Sequence, residues 1–142
     1  MRSSALPAAA ALVLATLASG AAPATADTPA GPVLQVDLEA GKARHHNTGT
    51  VLYERVDGAV NAVRVKAVTI HSGELDCAWV QWNNPQNPDG WSSLTTEPSC
   101  NGTGLGEYPD IVIEAPAGHP LKVRLVADHL GSDVVHKDIK KL

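Results

Sequence analysis

The sequence contains no phenylalanine, one methionine and two cysteines, and aromatic residues make up 4% of the chain. A hydrophobic core must therefore be built from Val, Leu, Ile and Ala, with three tryptophans and two tyrosines as the few large side chains. Basic residues are also scarce, with 11 Lys and Arg against 15 Asp and Glu. Because nucleic acids and anionic membranes bind positively charged surfaces, we expect neither as a partner.

Motifs of the common enzyme classes are missing too. The sequence has no nucleophile elbow, zinc-protease motif, phosphate-binding loop or dinucleotide fingerprint. Glu74 and Asp76 lie two residues apart, but nothing indicates the cleft that glycoside hydrolysis requires. We therefore expect a non-catalytic protein without a cofactor. A small secreted hydrolase ranks third, after the binding and inhibitor functions described below.

The histidines do not follow a known zinc-binding spacing. Adjacent histidines in an extended chain point in opposite directions, so that a neighbouring pair is a poor candidate for one metal ion. We expect no metal site, and we expect solvent-exposed loop positions for all six: His45, His46, His71, His119, His129 and His136.

Residues 1–26 have the three regions of a secretory signal peptide. A single positive charge at Arg2 precedes an alanine-rich apolar stretch, and Ala24-Thr25-Ala26 matches a cleavage site. The apolar stretch is too short for a membrane anchor, and no other stretch is apolar enough. We expect cleavage after Ala26 and a secreted bacterial protein. Residues 27–32 would then be a flexible leader and residues 33–142 one domain.

Alternating apolar and polar residues predict a series of short β-strands, at 33–38, 51–56, 60–71, 75–82, 91–96, 111–115 and 121–127. The apolar pattern changes phase after Ala67, which indicates a β-bulge or a strand passing between two sheets. Residues 40–49 and 98–109 are predicted as loops. For residues 133–142 we favour a closing strand, although Asp133 is also a suitable N-cap for a short helix.

Short strands separated by Gly, Pro, Asn and Asp are typical of an all-β fold. We predict a small antiparallel β-sandwich, with immunoglobulin-like or jelly-roll-like architecture and one disulfide. A small β-barrel is the second choice.

The segment from Cys77 to Cys100, here called the tryptophan ring, contains both cysteines and all three tryptophans. An oxidising compartment favours a disulfide between the two cysteines. Strand alternation directs Cys77, Trp79 and Gln81 to one face and Ala78, Val80 and Trp82 to the other. We expect Trp79 to belong to the core beside the disulfide.

The other half of the tryptophan ring carries the functional hypothesis. Aromatic faces next to amide groups suit a sugar ring, and exposed tryptophans also anchor protein partners. We expect a secreted, monomeric binding module for an extracellular carbohydrate, cell-wall polymer or protein. The candidate binding residues are Trp82, Asn84, Asn87, Asp89 and Trp91.

An alternative function is an enzyme inhibitor, such as a protease inhibitor. The loop of residues 83–90 contains two prolines and lies within the predicted disulfide. A rigid loop of this kind loses little conformational entropy when it binds an enzyme.

Overall fold

The structure is a computed structural model that describes residues 31–59, 61–129 and 135–142. The predicted signal peptide and residues 27–30 of the leader lie outside the described residues. Within the described ranges, no helix is long and apolar enough to cross a membrane.

Ten β-strands and one short 3-10 turn make up the described part of the chain. The 3-10 turn, Ala43–His45, connects the first two strands. The strands are β1 Leu34–Ala40, β2 Asn47–Arg55, β3 Ala62–His71, β4 Asp76–Trp82, β5 Ser92–Ser93, β6 Ser99–Cys100, β7 Gly104–Glu107, β8 Ile111–Glu114, β9 Lys122–His129 and β10 Val135–Lys141.

The strands form two antiparallel sheets that pack together as a small β-sandwich, which confirms the predicted fold class. The first sheet has the order β1-β2-β3, and both β7 and β8 pair with β3. The second sheet has the order β10-β9-β4, and both β5 and β6 pair with β4. Each sheet therefore has one continuous edge strand and one interrupted edge.

The two continuous edge strands approach each other. The backbone N–H of Glu39 in β1 donates a hydrogen bond to the carboxylate of Asp138 in β10, at 3.0 Å. This contact joins the two sheets along one side. On the other side, both edge strands are broken into short pieces.

The core is built without phenylalanine, as the composition requires. It is filled by branched aliphatic side chains from both sheets, because every second residue of a strand faces the other sheet. The largest fully buried aliphatic side chains are Leu38, Val51, Val65, Val68, Ile70, Val80, Ile113, Val123 and Leu125.

The phase change predicted in the third strand is a β-bulge. Leu52 pairs with Ala67 and Tyr53 with Val65, so that Lys66 is the extra residue of β3. The bulge keeps apolar side chains on the inner face on both sides of it. The closing strand is also confirmed, because β10 pairs with β9 along its whole length.

Two predicted loops contain strand residues. β2 begins at Asn47, inside predicted loop 40–49, and both β6 and β7 lie inside predicted loop 98–109. Asn47 is polar yet fully buried, so the apolar alternation that marks a strand does not show its start. Gly104 and Gly106 are also poor strand residues, and β7 forms because β3 offers backbone hydrogen bonds to it.

Candidate functional site

The tryptophan ring is closed by a disulfide between Cys77 and Cys100, as predicted. The two cysteines lie opposite each other on β4 and β6, and both are half-buried. Ala78 and Val80 are fully buried, so their face of β4 is the inner one. The predicted alternation of faces along this strand is therefore confirmed.

The positions of two tryptophans differ from their expected environments. Trp82 lies on the inner face of β4 and packs, half-buried, against the core. Trp79 lies on the outer face and is also half-buried, so it is not the core residue that we expected. Val126, its neighbour on β9, is buried although it lies on the same outer face. The inner positions are filled by smaller aliphatic residues, which leaves Trp79 on the surface of the sheet.

Trp91 contacts an arginine on the outer face of the same sheet. The guanidinium carbon of Arg124 lies 4.0 Å from the centroid of the Trp91 ring, a cation–π contact. Arg124 pairs with Gln81 across β9 and β4, and its Nε donates a 2.8 Å hydrogen bond to Oε1 of Gln81. Burial lowers the pKa of Arg124 from its ordinary value. Arg124 is thus fixed between the sheet surface and one face of the indole.

The amides of the polar loop are used within the loop. Asn84 Nδ2 donates to Ser92 Oγ at 2.9 Å, and Asn87 Nδ2 donates to the Trp91 carbonyl oxygen at 2.5 Å. The Asn87 side-chain oxygen accepts a hydrogen bond from the backbone N–H of Asp89 at 3.2 Å. These bonds brace the loop and position Trp91, and they occupy amide groups that we expected to face a ligand. The Asp89 side chain is exposed.

A groove of about 490 Å³ lies at the interrupted edges of the two sheets. One part of its lining runs from the end of β5 to Thr96, and the other from the end of β7 to the start of β8. The lining residues are Ser93, Leu94, Thr95, Thr96, Glu107, Tyr108, Pro109 and Ile111. Glu107 joins the two parts, since its carboxylate accepts a 3.0 Å hydrogen bond from the Thr96 backbone N–H. Tyr108 stands at the rim and is 85% exposed.

Two histidines converge on one buried carboxylate at the end of the second sheet. His45 Nδ1 and His129 Nδ1 each lie 3.0 Å from Oδ1 of Asp76. The Asp76 side chain is fully buried, and the imidazoles are 26% and 25% exposed. The rings meet edge to face, with their centroids 4.3 Å apart. We call these three residues the His–Asp–His cluster.

A buried asparagine supports the cluster from the other side. Asn47 Nδ2 donates to the second carboxylate oxygen of Asp76 and to the backbone carbonyl of His45, each at 2.8 Å. The Asn47 side-chain oxygen accepts from the Gly73 backbone N–H at 2.8 Å. Both oxygens of the carboxylate therefore have partners, and the turn that carries His45 is tied to the β3–β4 turn.

The cluster keeps the buried carboxylate ionised. Burial alone raises the pKa of Asp76, but hydrogen bonds from Asn47, His45 and His129 together outweigh it. The net result is an Asp76 pKa below its ordinary value of 3.8. A negative charge therefore lies between two imidazoles that remain accessible to solvent.

Sequence reasoning missed this cluster. His45 and His129 are 84 positions apart, one in the turn before β2 and one at the end of β9, and the prediction that both are exposed loop residues is wrong. The sequence places Asp76 two residues from Glu74 as a carboxylate pair, but Glu74 is exposed and Asp76 is buried. Asp76, the one charged residue of β4, is the available signal, whereas Asn47 lies in a polar stretch that gives none. A buried polar side chain needs partners that only the fold brings close.

Comparisons of the chain with protein-family models, with curated proteins and with solved structures found no match. The assignment of function therefore depends on the geometry of the chain itself.

Proposed function

We propose that the protein is a secreted, non-catalytic module that binds an extracellular carbohydrate or cell-wall polymer. The binding surface is the outer face of the second sheet beside the tryptophan ring. The observation that carries the proposal is the Trp91 indole held against Arg124, which is itself anchored to Gln81. The predicted signal peptide and the disulfide support an extracellular location.

The chemistry of this surface suits a sugar. A sugar ring presents C–H groups on its faces and hydroxyl groups on its edges, which pair with an aromatic face and with hydrogen-bonding side chains. Arg124 covers one side of the Trp91 indole, and the half-buried ring keeps accessible area. Trp79, Gln81 and Arg124 lie on the same outer face of the sheet. Together with Trp91, they offer two indoles with amide and guanidinium groups between them.

Within this proposal, the five candidate residues have different roles. Trp91 is the main contact, and exposed Asp89 is available to a ligand. Asn84 and Asn87 act through the loop that they brace. Trp82 supports the loop from the core side, since it packs inward.

The test is binding to a panel of insoluble polysaccharides, measured by pull-down and then by titration with soluble fragments. Trp91→Ala should weaken binding by roughly 10-fold or more, the loss expected for an aromatic hot spot. Trp79→Ala should weaken it as well, because Trp79 shares the outer face. Tyr108→Ala is the matched control, since it removes a more exposed aromatic residue at the groove rim.

No binding of the wild-type protein to any polysaccharide contradicts the carbohydrate proposal. Binding that is lost in Tyr108→Ala but retained in Trp91→Ala places the contact in the groove instead, and the proposed surface is then wrong.

A second function, enzyme inhibition, is favoured by the bracing of the 83–90 loop. Besides the asparagine side-chain bonds, the Gly90 backbone N–H donates to the Asn87 backbone carbonyl at 2.8 Å, and the Asn83 side chain bonds β9 at Lys122. A loop fixed in this way is preorganised for an enzyme cleft.

Incubation with a protease panel tests the inhibitor function. An inhibitor should reduce the activity of at least one enzyme and leave the 83–90 loop intact, with Asn87→Ala weaker than wild type. Rapid cleavage in that loop without inhibition contradicts it.

A further inference from the structure

We propose that the His–Asp–His cluster binds one divalent cation of the zinc class, through Nδ1 of His45, Oδ1 of Asp76 and Nδ1 of His129. This site is separate from the surface in the proposed function and does not depend on it.

The donor atoms already converge. Each imidazole Nδ1 is directed at the same carboxylate oxygen at 3.0 Å, and the donor atoms of the three residues lie within 4.8 Å of one another. Zinc bonds of about 2.0–2.2 Å place tetrahedral ligand atoms roughly 3.3–3.6 Å apart. Binding an ion therefore requires each N···O contact to open by a few tenths of an ångström, and the two Nδ1 atoms, now within 4.8 Å of each other, to settle at the same spacing.

The donor set has the right chemistry. Two imidazoles and one carboxylate are ligands that zinc accepts, and imidazole also suits copper and nickel. Asp76 supplies a carboxylate oxygen that both imidazole Nδ1 atoms already face. Both imidazoles are about one-quarter exposed, so an ion can enter from solvent and keep a water molecule at a fourth position.

A buried residue supports the ligands by hydrogen bonds, as is usual in metal sites. Ligating carboxylates are usually held by a further hydrogen bond, and Asn47 provides one to the second oxygen of Asp76. Asn47 is fully buried and bonds the carbonyls of Ala40 and His45 as well as the Gly73 N–H. The Asp76 carboxylate and the turn that carries His45 are thus held in place before any ion binds.

Backbone strain is concentrated around the cluster. Of the four non-glycine residues with positive φ in the described ranges, three lie in segments that build it: Ala43, Leu75 and Asn101. Ala43 is two residues before His45, Leu75 directly precedes Asp76, and the Asn101 N–H donates to the Asp76 carbonyl at 2.8 Å. Such conformations cost free energy and persist where the surrounding structure enforces them, often at ligand sites.

Metal and protons compete for the same atoms. An ionised carboxylate only accepts hydrogen bonds, so Nδ1 of each ring must carry a proton to bond Asp76, whereas a bound ion needs the Nδ1 lone pairs. A neutral imidazole meets this need by moving its proton to Nε2, so each ring changes tautomer without losing its proton. The change is visible in the ¹⁵N chemical shifts of the rings.

Calorimetric titration of the protein with Zn²⁺, in a buffer without chelators, tests the site. We expect one equivalent to bind. His45→Ala and His129→Ala should each weaken binding by more than the roughly 10-fold to 100-fold that loss of a supporting group costs. His46→Ala is the matched control, since this neighbouring histidine bonds Glu39 and lies outside the cluster. Trp91→Ala should also bind Zn²⁺ normally.

Histidine-selective ¹⁵N NMR of the wild-type protein gives a readout that no folding defect of a variant affects. Zn²⁺ should move the tautomer of His45 and His129 and leave His46 unchanged. Absence of Zn²⁺ binding overturns the proposal. So does equal weakening in His46→Ala, or a tautomer change at other histidines only.

Discussion

Gly73 shows how one residue controls the position of a functional side chain. A Cβ atom at this position would lie 2.6 Å from the Arg44 carbonyl oxygen and 2.8 Å from Cα of His45. Both are backbone atoms of the turn that carries His45, and the Glu74 N–H binds the same carbonyl at 2.7 Å. Only glycine allows the two turns to pack this closely.

Gly73→Ala should therefore lower the free energy of unfolding by about 1–3 kcal/mol, the usual cost of overpacking. It should also weaken Zn²⁺ binding, because the turn with His45 must move. Urea denaturation and calorimetric titration measure the two effects. Gly106→Ala is the matched control, since a Cβ atom there would have no neighbour within 4 Å, and it should change neither quantity. Wild-type stability in Gly73→Ala would contradict the prediction.

Asp110 is a second position where single-residue chemistry can be tested. Its carboxylate accepts a 3.0 Å hydrogen bond from Lys66 Nζ and lies 3.7 Å from Arg64. The Lys66 hydrogen bond, with the nearby positive charges, lowers the pKa of Asp110 below 3.8. A lowered carboxyl pKa stabilises the folded state above the unfolded pKa, and this contribution is lost as the pH falls through the folded pKa.

We expect Lys66→Met to raise the Asp110 pKa toward its ordinary value, as measured by ¹³C NMR of the side-chain carboxyl. The stability difference between wild type and variant should be present near neutral pH and should shrink at acid pH. A wild-type carboxyl that titrates above 3.8 would show that the ion pair does not form in solution.

The tryptophans lie on two different faces of the second sheet. Trp82 shares the inner face with Ala78 and Val80, whereas Trp79 and the Trp91–Arg124 pair lie on the outer face. Substitutions on the two faces should therefore differ in how much they lower the free energy of unfolding. Inner-face aromatics contribute to stability through the core, and outer-face aromatics contribute less.

Trp82→Ala should lower the free energy of unfolding by about 3 kcal/mol, near the lower end for buried aromatic truncation because the ring is half-buried. Trp91→Ala should cost about 1 kcal/mol, mainly from the lost cation–π contact. Chemical denaturation of both variants measures the difference. Equal losses would contradict the assignment of the two rings to opposite faces.

The short edge strands show what limits a sequence-based prediction of elements. β3 is long and β-branched, and its pattern marks it clearly. β7 contains two glycines in four residues and has no such pattern. It is a strand because β3 is already in place with free hydrogen-bonding groups on that side.

The disulfide lies on the side of the sandwich where the edge strands of both sheets are broken into short pieces. The opposite side is joined by a strand-to-strand hydrogen bond between β1 and β10. On the interrupted side, Cys77–Cys100 ties two-residue β6 to β4. Strands this short form few hydrogen bonds of their own, so the crosslink holds the edge in place.

Replacing both cysteines with serine should lower the free energy of unfolding by about 3 kcal/mol, from the entropy of a loop that spans 23 residues. Guanidinium denaturation under non-reducing conditions measures this value. The wild-type protein in reducing agent should lose a similar free energy of unfolding. This measurement controls for any effect of the serine side chains themselves. No loss in either case would mean that the hydrogen bonds of the sandwich alone maintain the interrupted edge.

The sequence by itself determined the β class, the pairing of the only two cysteines, the change of apolar phase in β3 and the two faces of β4. These features follow from local periodicity and from composition, which act over a few residues. The tertiary structure alone decided which face of β4 is inside and where the amides of the polar loop are bonded. It also brought His45 and His129 to Asp76. These are contacts between residues far apart in the chain, and they depend on how the two sheets pack.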